Sequence, residues 1–314
     1  MSHILTLVAS DKSPELTEKH FANAINLCNQ HDLQTTDEYI TWLDDGKAAQ
    51  IRVSDDAPME LVEQLRETFE DDKIDFFILD ETFKPKLLVA DMESTIIRNE
   101  MLDDLGEFLG IGKQIKAITD RAMNGEIDFY QSVRERINLL KGVETKVLDE
   151  KRDALKPNPG AKTFVETLKS NGASCVLATG GFTYFSEYIA ELCGFDEHHA
   201  NKLGIDNKRL TGKVVDPIFG PEGKLEVMQE KAKELGITPE QCITIGDGAN
   251  DLPMLEKAGL GIGYHPKPAV KEKVKNCILH GDFTATLYAL GYTSDMFAKP
   301  VISTTQETPE IVPV

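Results

Sequence analysis

The sequence predicts an α/β protein: a parallel sheet covered by helices on both faces, interrupted by an all-helical insertion and preceded by a small α+β module. Three observations predict it. Short apolar runs of strand length, Leu87–Ala90, Cys175–Ala178 and Ile243–Ile245, alternate with helical patterns, as buried parallel strands joined by helical crossovers do. About eighty residues separate the first two runs, too many for one crossover, and four amphipathic patterns fill the gap. The residues before Leu87 follow a different order, βαββαβ, with the period switching between two and 3.6.

Along the chain, Ile4–Ala9 reads as a strand, Pro14–Asn29 as a helix, Thr36–Leu43 and Ala48–Val53 as strands, Pro58–Phe69 as a helix and Ile74–Leu79 as a strand. Leu61, Leu65 and Phe69 recur every four residues, which gives the second helix one apolar stripe. Asp80–Lys86, with Pro85 and its charges, reads as a linker and sets a boundary near residue 84. Helical periodicity runs through Met101–Leu109, Ile115–Met123, Phe129–Leu140 and Thr145–Leu155. Residues 99–156 are therefore expected to form a cap inserted between core segments 85–98 and 157–292. Gly261–Gly263 and Cys277–Leu279 supply two weaker strands, and Leu225–Leu235 a helix. After Tyr292 the polar tail lacks periodicity, so disorder is expected over 293–314.

Composition excludes several functions. Thirty-four Lys and Arg against 53 Asp and Glu give a formal charge of −19, which repels nucleic acid and anionic membranes. No apolar run approaches the length of a membrane span, and Met1–Leu5 lacks the basic and apolar regions of a secretory signal. A cytoplasmic protein with neither nucleic acid nor membrane as partner is expected. The five cysteines, Cys28, Cys175, Cys193, Cys242 and Cys277, are an odd, scattered set without a C-x-x-C pair, which argues against disulfides and zinc. An anionic substrate would need local lysines, arginines and a cation to hold it.

Such groups gather at the ends of the three best strands, where open α/β sheets place their ligand sites. The first ends in Asp91-Met92-Glu93-Ser94-Thr95, the second in Thr179-Gly180-Gly181-Phe182, and the third in Gly246-Asp247-Gly248-Ala249-Asn250-Asp251. Lys224 follows a Pro-Glu-Gly turn and opens a helix. Asp91 and Asp247, side by side at the sheet edge, would repel unless a hard cation lay between them, and Mg²⁺ prefers such carboxylate oxygens. Thr179 and the glycine N–H groups could cradle phosphate oxygens, with Lys224 as a point charge. Asp91 could then accept a phosphoryl group as nucleophile, splitting one hard displacement into two easier ones.

In order and spacing these elements resemble the four motifs of the haloacid dehalogenase (HAD) superfamily, and specifically its phosphoserine phosphatase branch, over residues 86 to 292. The resemblance implies a Rossmann-like parallel core, Mg²⁺ as cofactor, and hydrolysis of O-phospho-L-serine to L-serine and phosphate, the last step of serine biosynthesis. It makes Asp91 the nucleophile and gives Glu93 two roles, acid/base through its side chain and magnesium ligand through its carbonyl. Asp247 completes the metal site, Thr179, Gly180, Gly181 and Lys224 hold phosphate, Asn250 orients it, and Asp251 steadies the metal's surroundings. In the cap, Glu100 is matched to the substrate ammonium, and Met123 and Phe129 to the apolar lining. Helix phase leaves Arg134 and Arg136 equally placed beside the stripe Phe129, Val133, Ile137 and Leu140; the resemblance selects Arg136 for the substrate carboxylate.

Two features depart from the pattern. The branch usually carries aspartate where this chain has Glu93, and an extra methylene displaces the carboxyl by roughly an ångström, enough to cost about a hundredfold in rate if uncompensated. A compensated enzyme is the favoured reading; a weakly active phosphate- or amino-acid-binding regulator is the alternative, and a phosphatase or phosphotransferase for another small phosphomonoester is a further one. Residues 1–84 resemble an ACT-like, ferredoxin-type module, but Ser10-Asp11-Lys12-Ser13-Pro14 lacks the glycine that lets such modules approach an amino acid closely. A structural role, or pairing into a homodimer, is expected of it. His198, His199 and His265 read as surface or structural histidines.

Overall fold

This computed structural model describes residues 2–35 and 40–299. Apolar alternation before the linker produces β1 (His3–Ala9), β2 (Thr41–Asp44), β3 (Ala48–Val53) and β4 (Ile74–Asp80), an antiparallel sheet ordered β2-β3-β1-β4. Helices α1 (Glu18–Gln30) and α2 (Met59–Phe69) cover one face, with Phe21 and Cys28 from the first and Leu61, Leu65 and Phe69 from the second in one cluster with Leu5, Leu7 and Ile51. Helix α1 begins at Glu18 instead of Pro14 because the Thr17 N–H donates to the ring of His20 at 3.0 Å, which closes the helix start. The second strand begins at Thr41; residues 36–39 of the expected strand lie outside the described residues.

The main sheet has seven strands: β5 (Leu87–Ala90), β6 (Ser174–Phe182), β7 (Glu197–Asp206), β8 (Arg209–Val215), β9 (Cys242–Gly246), β10 (Leu260–Tyr264) and β11 (Asn276–Ile278). Their order is β11-β10-β9-β5-β6-β7-β8, parallel throughout except for β7 against β8. Strand β5 is apolar at every position because both of its faces are covered. Leu88 and Ala90 pack with Phe164 and Phe185, from α7 (Ala161–Ser170) and α8 (Thr183–Cys193). Leu87 and Val89 face Val227 and Met228 of α9 (Gly223–Leu235) and Met254 of α10 (Leu252–Lys257). All five cysteines are buried thiols.

Between β5 and β6 lie α3 (Met101–Phe108), α4 (Gly112–Met123), α5 (Phe129–Asn138) and α6 (Thr145–Asp153). Their support is the β7–β8 hairpin, which the apolar pattern did not predict because the segment is polar on its outer face. The Asn207-Lys208 turn, both residues left-handed at φ 46° and 60°, is the local sign of a tight hairpin. Backbone bonds fasten the cap to its edge strand: Gly142 N–H to Leu210 O and Leu210 N–H to Val143 O, both 2.8 Å.

The other face of the module's sheet packs on the core through Val8, Ala48, Phe77 and Leu79, and a polar seam runs along the contact. Buried Asp75 of β4 accepts three backbone N–H groups, from Leu279 at 2.8 Å, His280 at 3.1 Å and Gly281 at 2.8 Å. Arg66 of α2 donates to the carbonyls of Lys271 at 2.6 Å and Val274 at 2.7 Å, capping α11 (Pro268–Lys271). The tail expected to lose structure at residue 293 continues in order through Lys299. Ser294 donates to Asp44 at 3.0 Å, and Phe297 meets Tyr288, in α12 (Thr284–Ala289), edge-on at 5.0 Å. Residues 300–314 lie outside the described residues.

Candidate active site

The end of β5 is pinned by its neighbour: the Asp91 N–H donates to Ile245 O of β9 at 2.9 Å. The chain then makes one wide turn over Met92–Ile96, closed by Ile97 N–H on Met92 O at 2.9 Å, with Ser94 left-handed at φ 55°. Asn158, buried, clamps this turn through its side-chain N–H on Thr95 O at 2.6 Å and its backbone N–H on Ile96 O at 2.7 Å. Because of that turn, the Glu93 carboxylate reaches back across the end of β6. It accepts the Met101 N–H at 2.9 Å and lies 3.0 Å from where a β-carbon on Gly181 would stand. The absence of a side chain at Gly181 is what makes room for glutamate.

Three buried aspartates converge here. One carboxylate oxygen from each of Asp91, Asp247 and Asp251 lies within 4.8 Å of the others. Lys224, buried at the start of α9, bridges Asp91 at 2.6 Å and Asp251 at 2.5 Å. The other oxygen of Asp251 accepts the Asp247 N–H at 3.1 Å and the Gly248 N–H at 2.9 Å, and its carboxyl occupies the space a side chain at Gly246 would take. Burial pushes the Asp91 carboxyl well above the usual range; Lys224 opposes this, and Asp251 and Asp247 add to it. Burial works against the charge of Lys224, but Asp91 and Asp251 outweigh it and raise the ammonium's pKa. Burial, with the charge of Glu100, moves Glu93 up to about 7, so that this carboxyl exchanges a proton near neutrality.

The phosphate-cradle residues lie at the neighbouring strand end. Thr179 is buried and its hydroxyl oxygen accepts the Gly181 N–H at 3.0 Å, while Gly180 is exposed with open space over its Cα. Asn250 is exposed, and its amide oxygen folds back over Gly248. On the cap side, Glu100 precedes α3 and accepts the Ser94 hydroxyl at 2.7 Å. Burial lowers the pKa of Arg136, while Asp103, Glu93 and Glu100 oppose this, so the guanidinium lies within the field of all three carboxylates. Arg134 points elsewhere: it pairs with Asp216 at 2.6 Å in the open. Phe129 opens α5, partly buried, edge-on to Tyr130 at 5.5 Å. Met123 closes α4, and its side chain lies outside what is described.

Three residues at or beside the site carried no signal on their own. Lys267 places its ammonium 2.9 Å from Asp247, and the one available hint was its position just past the end of β10. Asp103 stands one turn after Glu100 on the same helix face. Asn201 of β7, buried, donates to Gly180 O at 2.8 Å and accepts the Phe219 N–H at 2.8 Å, which ties the glycine loop to the turn before Lys224.

A family model described as haloacid dehalogenase-like hydrolase matches residues 85–259. A phosphoserine phosphatase of Archaeoglobus fulgidus is 40% identical over 187 residues, 60% of this chain and 54% of that one, so the chain spans about half the length of this relative. A phosphoserine phosphatase of Haemophilus influenzae is 38% identical over 225 residues, 70% of this chain and 71% of that protein. Among solved structures, a HAD family hydrolase from Salmonella enterica serovar Typhi is similar over 92% of this chain and 98% of its own, at a TM-score of 0.79 and 30% identity. Motifs, sheet order and these matches agree, and the chain belongs to the haloacid dehalogenase-like hydrolases.

Proposed function

We propose that this chain hydrolyses O-phospho-L-serine to L-serine and phosphate by way of a phosphoryl group carried on Asp91. The observation that carries the reading is the buried cluster of Asp91, Asp247 and Asp251 around Lys224. Three carboxylates against the buried ammonium of Lys224 and the more exposed one of Lys267 still leave negative charge that a hard divalent cation would balance, and an all-oxygen donor set suits Mg²⁺. Asp91, Asp247 and the Glu93 carbonyl would hold the ion, with Asp251 steadying the loop. When bound, it supplies positive charge to the phosphate oxygens.

The remaining chemistry belongs to the chain. An Asp91 oxygen bonds to phosphorus as the bond from phosphorus to the serine oxygen breaks, and Glu93 gives that oxygen its proton. Water then attacks the aspartyl phosphate; Glu93 takes the water's proton, the bond from phosphorus to Asp91 breaks, and phosphate leaves. Thr179, Gly180, Gly181, Lys224 and Asn250 orient the phosphoryl group, which needs positioning and charge more than further chemistry. Glu100 suits the substrate ammonium and Arg136 its carboxylate, with Phe129 and Met123 as apolar lining. The names of the A. fulgidus and H. influenzae relatives support the serine identity. The N-terminal module is assigned a structural role, including pairing into a homodimer, and the protein a cytoplasmic location; a small phosphomonoester is its partner, and neither nucleic acid nor membrane is.

Phosphate release from O-phospho-L-serine and from a panel of other monoesters, with magnesium and with chelator, tests the reading. Magnesium-dependent release favouring phosphoserine is expected. Release from other monoesters alone would reassign the substrate, and release from none would point to a phosphate-binding regulator.

A further inference from the structure

A cavity of about 360 Å³ opens at the seam between the N-terminal module and the core, walled by the turn after β1, Arg98, the end of β10 and the start of α12. In a chain with a net charge of −19, its charged lining is mainly positive: Lys12, Lys47 and Arg98 against Asp11 and Asp282. The two carboxylates are already engaged. Asp11 pairs with Lys47 at 3.1 Å, and Asp282 accepts the Thr284 N–H at 2.8 Å and hydroxyl at 2.5 Å. His280 also lines the cavity and pairs with Glu70 at 3.6 Å. Among the described residues, Lys12 has no carboxylate partner, and Arg98 spends only its Nε, on Asn158 at 3.3 Å.

The wall is rigid beside these charges. His265 is left-handed at φ 40°, with its N–H on Ile278 O at 2.8 Å and its Nδ1 on Leu279 O at 3.1 Å. A carbonyl only accepts, so Nδ1 carries the hydrogen, and the ring is held to the backbone at Gly281 as well. Burial lowers the His265 pKa, and Arg98 and Lys12 add to that repulsion, which an anion among them would relieve.

We infer that this seam is a binding site for a small metabolite anion bearing a carboxylate or phosphate group, held between Lys12 of the module and Arg98 of the core, with His265 as part of the wall. Its position couples it to the hydrolytic centre. Arg98 holds Asn158, which clamps the Asp91–Glu93 turn at Thr95 O. His265 lies two residues before Lys267, whose backbone N–H and ammonium both contact Asp247, each at 2.9 Å. The turn at Lys12 thus contributes a ligand contact although it lacks the glycine of amino-acid-binding modules.

The test is calorimetric titration of the intact, magnesium-loaded protein and of Lys12→Glu with two probes, succinate and inorganic phosphate. Phosphate also suits the hydrolytic centre, so only binding that the substitution removes is counted. Reversing an exposed charge outside the catalytic loops should leave phosphate release from phosphoserine unchanged while weakening at least one probe by about tenfold or more. Loss for succinate alone assigns the site to carboxylates, loss for phosphate alone to phosphates, and loss for both to either anion. Equal affinities in the two proteins, or no binding of either probe at millimolar concentration, would overturn the inference.

Discussion

At the scale of residues, Glu93 makes the greatest demand. Its carboxylate is seated by the Met101 N–H and by the bare Cα of Gly181, so glutamate is the length this pocket fits. Glu93→Asp should therefore lower kcat, by about tenfold to a hundredfold, because withdrawal by roughly an ångström breaks both contacts. Gly181→Ala should also slow the wild type, and should cost less in the Glu93→Asp background, where the β-carbon has room. Steady-state rates of the four proteins check this, and a faster Glu93→Asp enzyme would show that glutamate is a misfit. Asp91, Asp247, Lys224 and Thr179 were legible in the sequence because strand ends and spacing mark them. Lys267, Asp103 and Asn201 were not, because a lysine in a loop, an acid in a helix and an asparagine in a strand acquire meaning only from neighbours distant in sequence.

Among elements, the cap carries the side chains proposed to recognise the substrate, and the hairpin supports them. Arg136 lies in the field of Glu93, Glu100 and Asp103, whereas Arg134 joins Asp216 across the cap–core boundary in the open. The two arginines, inseparable by helix phase, thus have different surroundings. Arg136→Ala should raise KM for phosphoserine by about tenfold to a hundredfold relative to a phosphomonoester lacking the carboxylate, since a site built for a charged group penalises its loss. Asp216→Ala should change KM for both substrates in the same small ratio, because it loosens cap docking alone. Competition kinetics on the two esters separate these outcomes. The cap helices follow a clear apolar period, but β7 and β8 do not, since their strand character rests on pairing and on a two-residue turn.

On the scale of the whole molecule, the module and core meet through the apolar Val8, Ala48, Phe77 and Leu79 and through Asp75, Arg66 and Asn276, polar side chains whose partners lie some two hundred residues away in sequence. The two folds were legible separately from their periodicities; their docking was not, because no local pattern records a partner so remote. Burial raises the Asp75 carboxyl to about 6, although three backbone N–H groups oppose the rise. The folded state thus holds the proton more tightly than the unfolded chain. This contribution is fully present below about pH 4 and is lost as pH rises through about 6, on the order of 3 kcal/mol. Wild-type stability should fall across that window relative to Asp75→Asn, as thermal melts of both proteins at matched pH would show. A constant difference would mean that Asp75 does not titrate there.

Chemistry at Asp91 is the claim on which the rest depends, and acid quenching during turnover of phosphoserine tests it most directly. Mass analysis of the quenched, magnesium-loaded protein should find one phosphoryl group on the peptide that contains Asp91, and Asp91→Asn should lose both that mass and phosphate release while remaining folded. Sustained phosphate release by Asp91→Asn, or a phosphoryl group on any other residue, would contradict it.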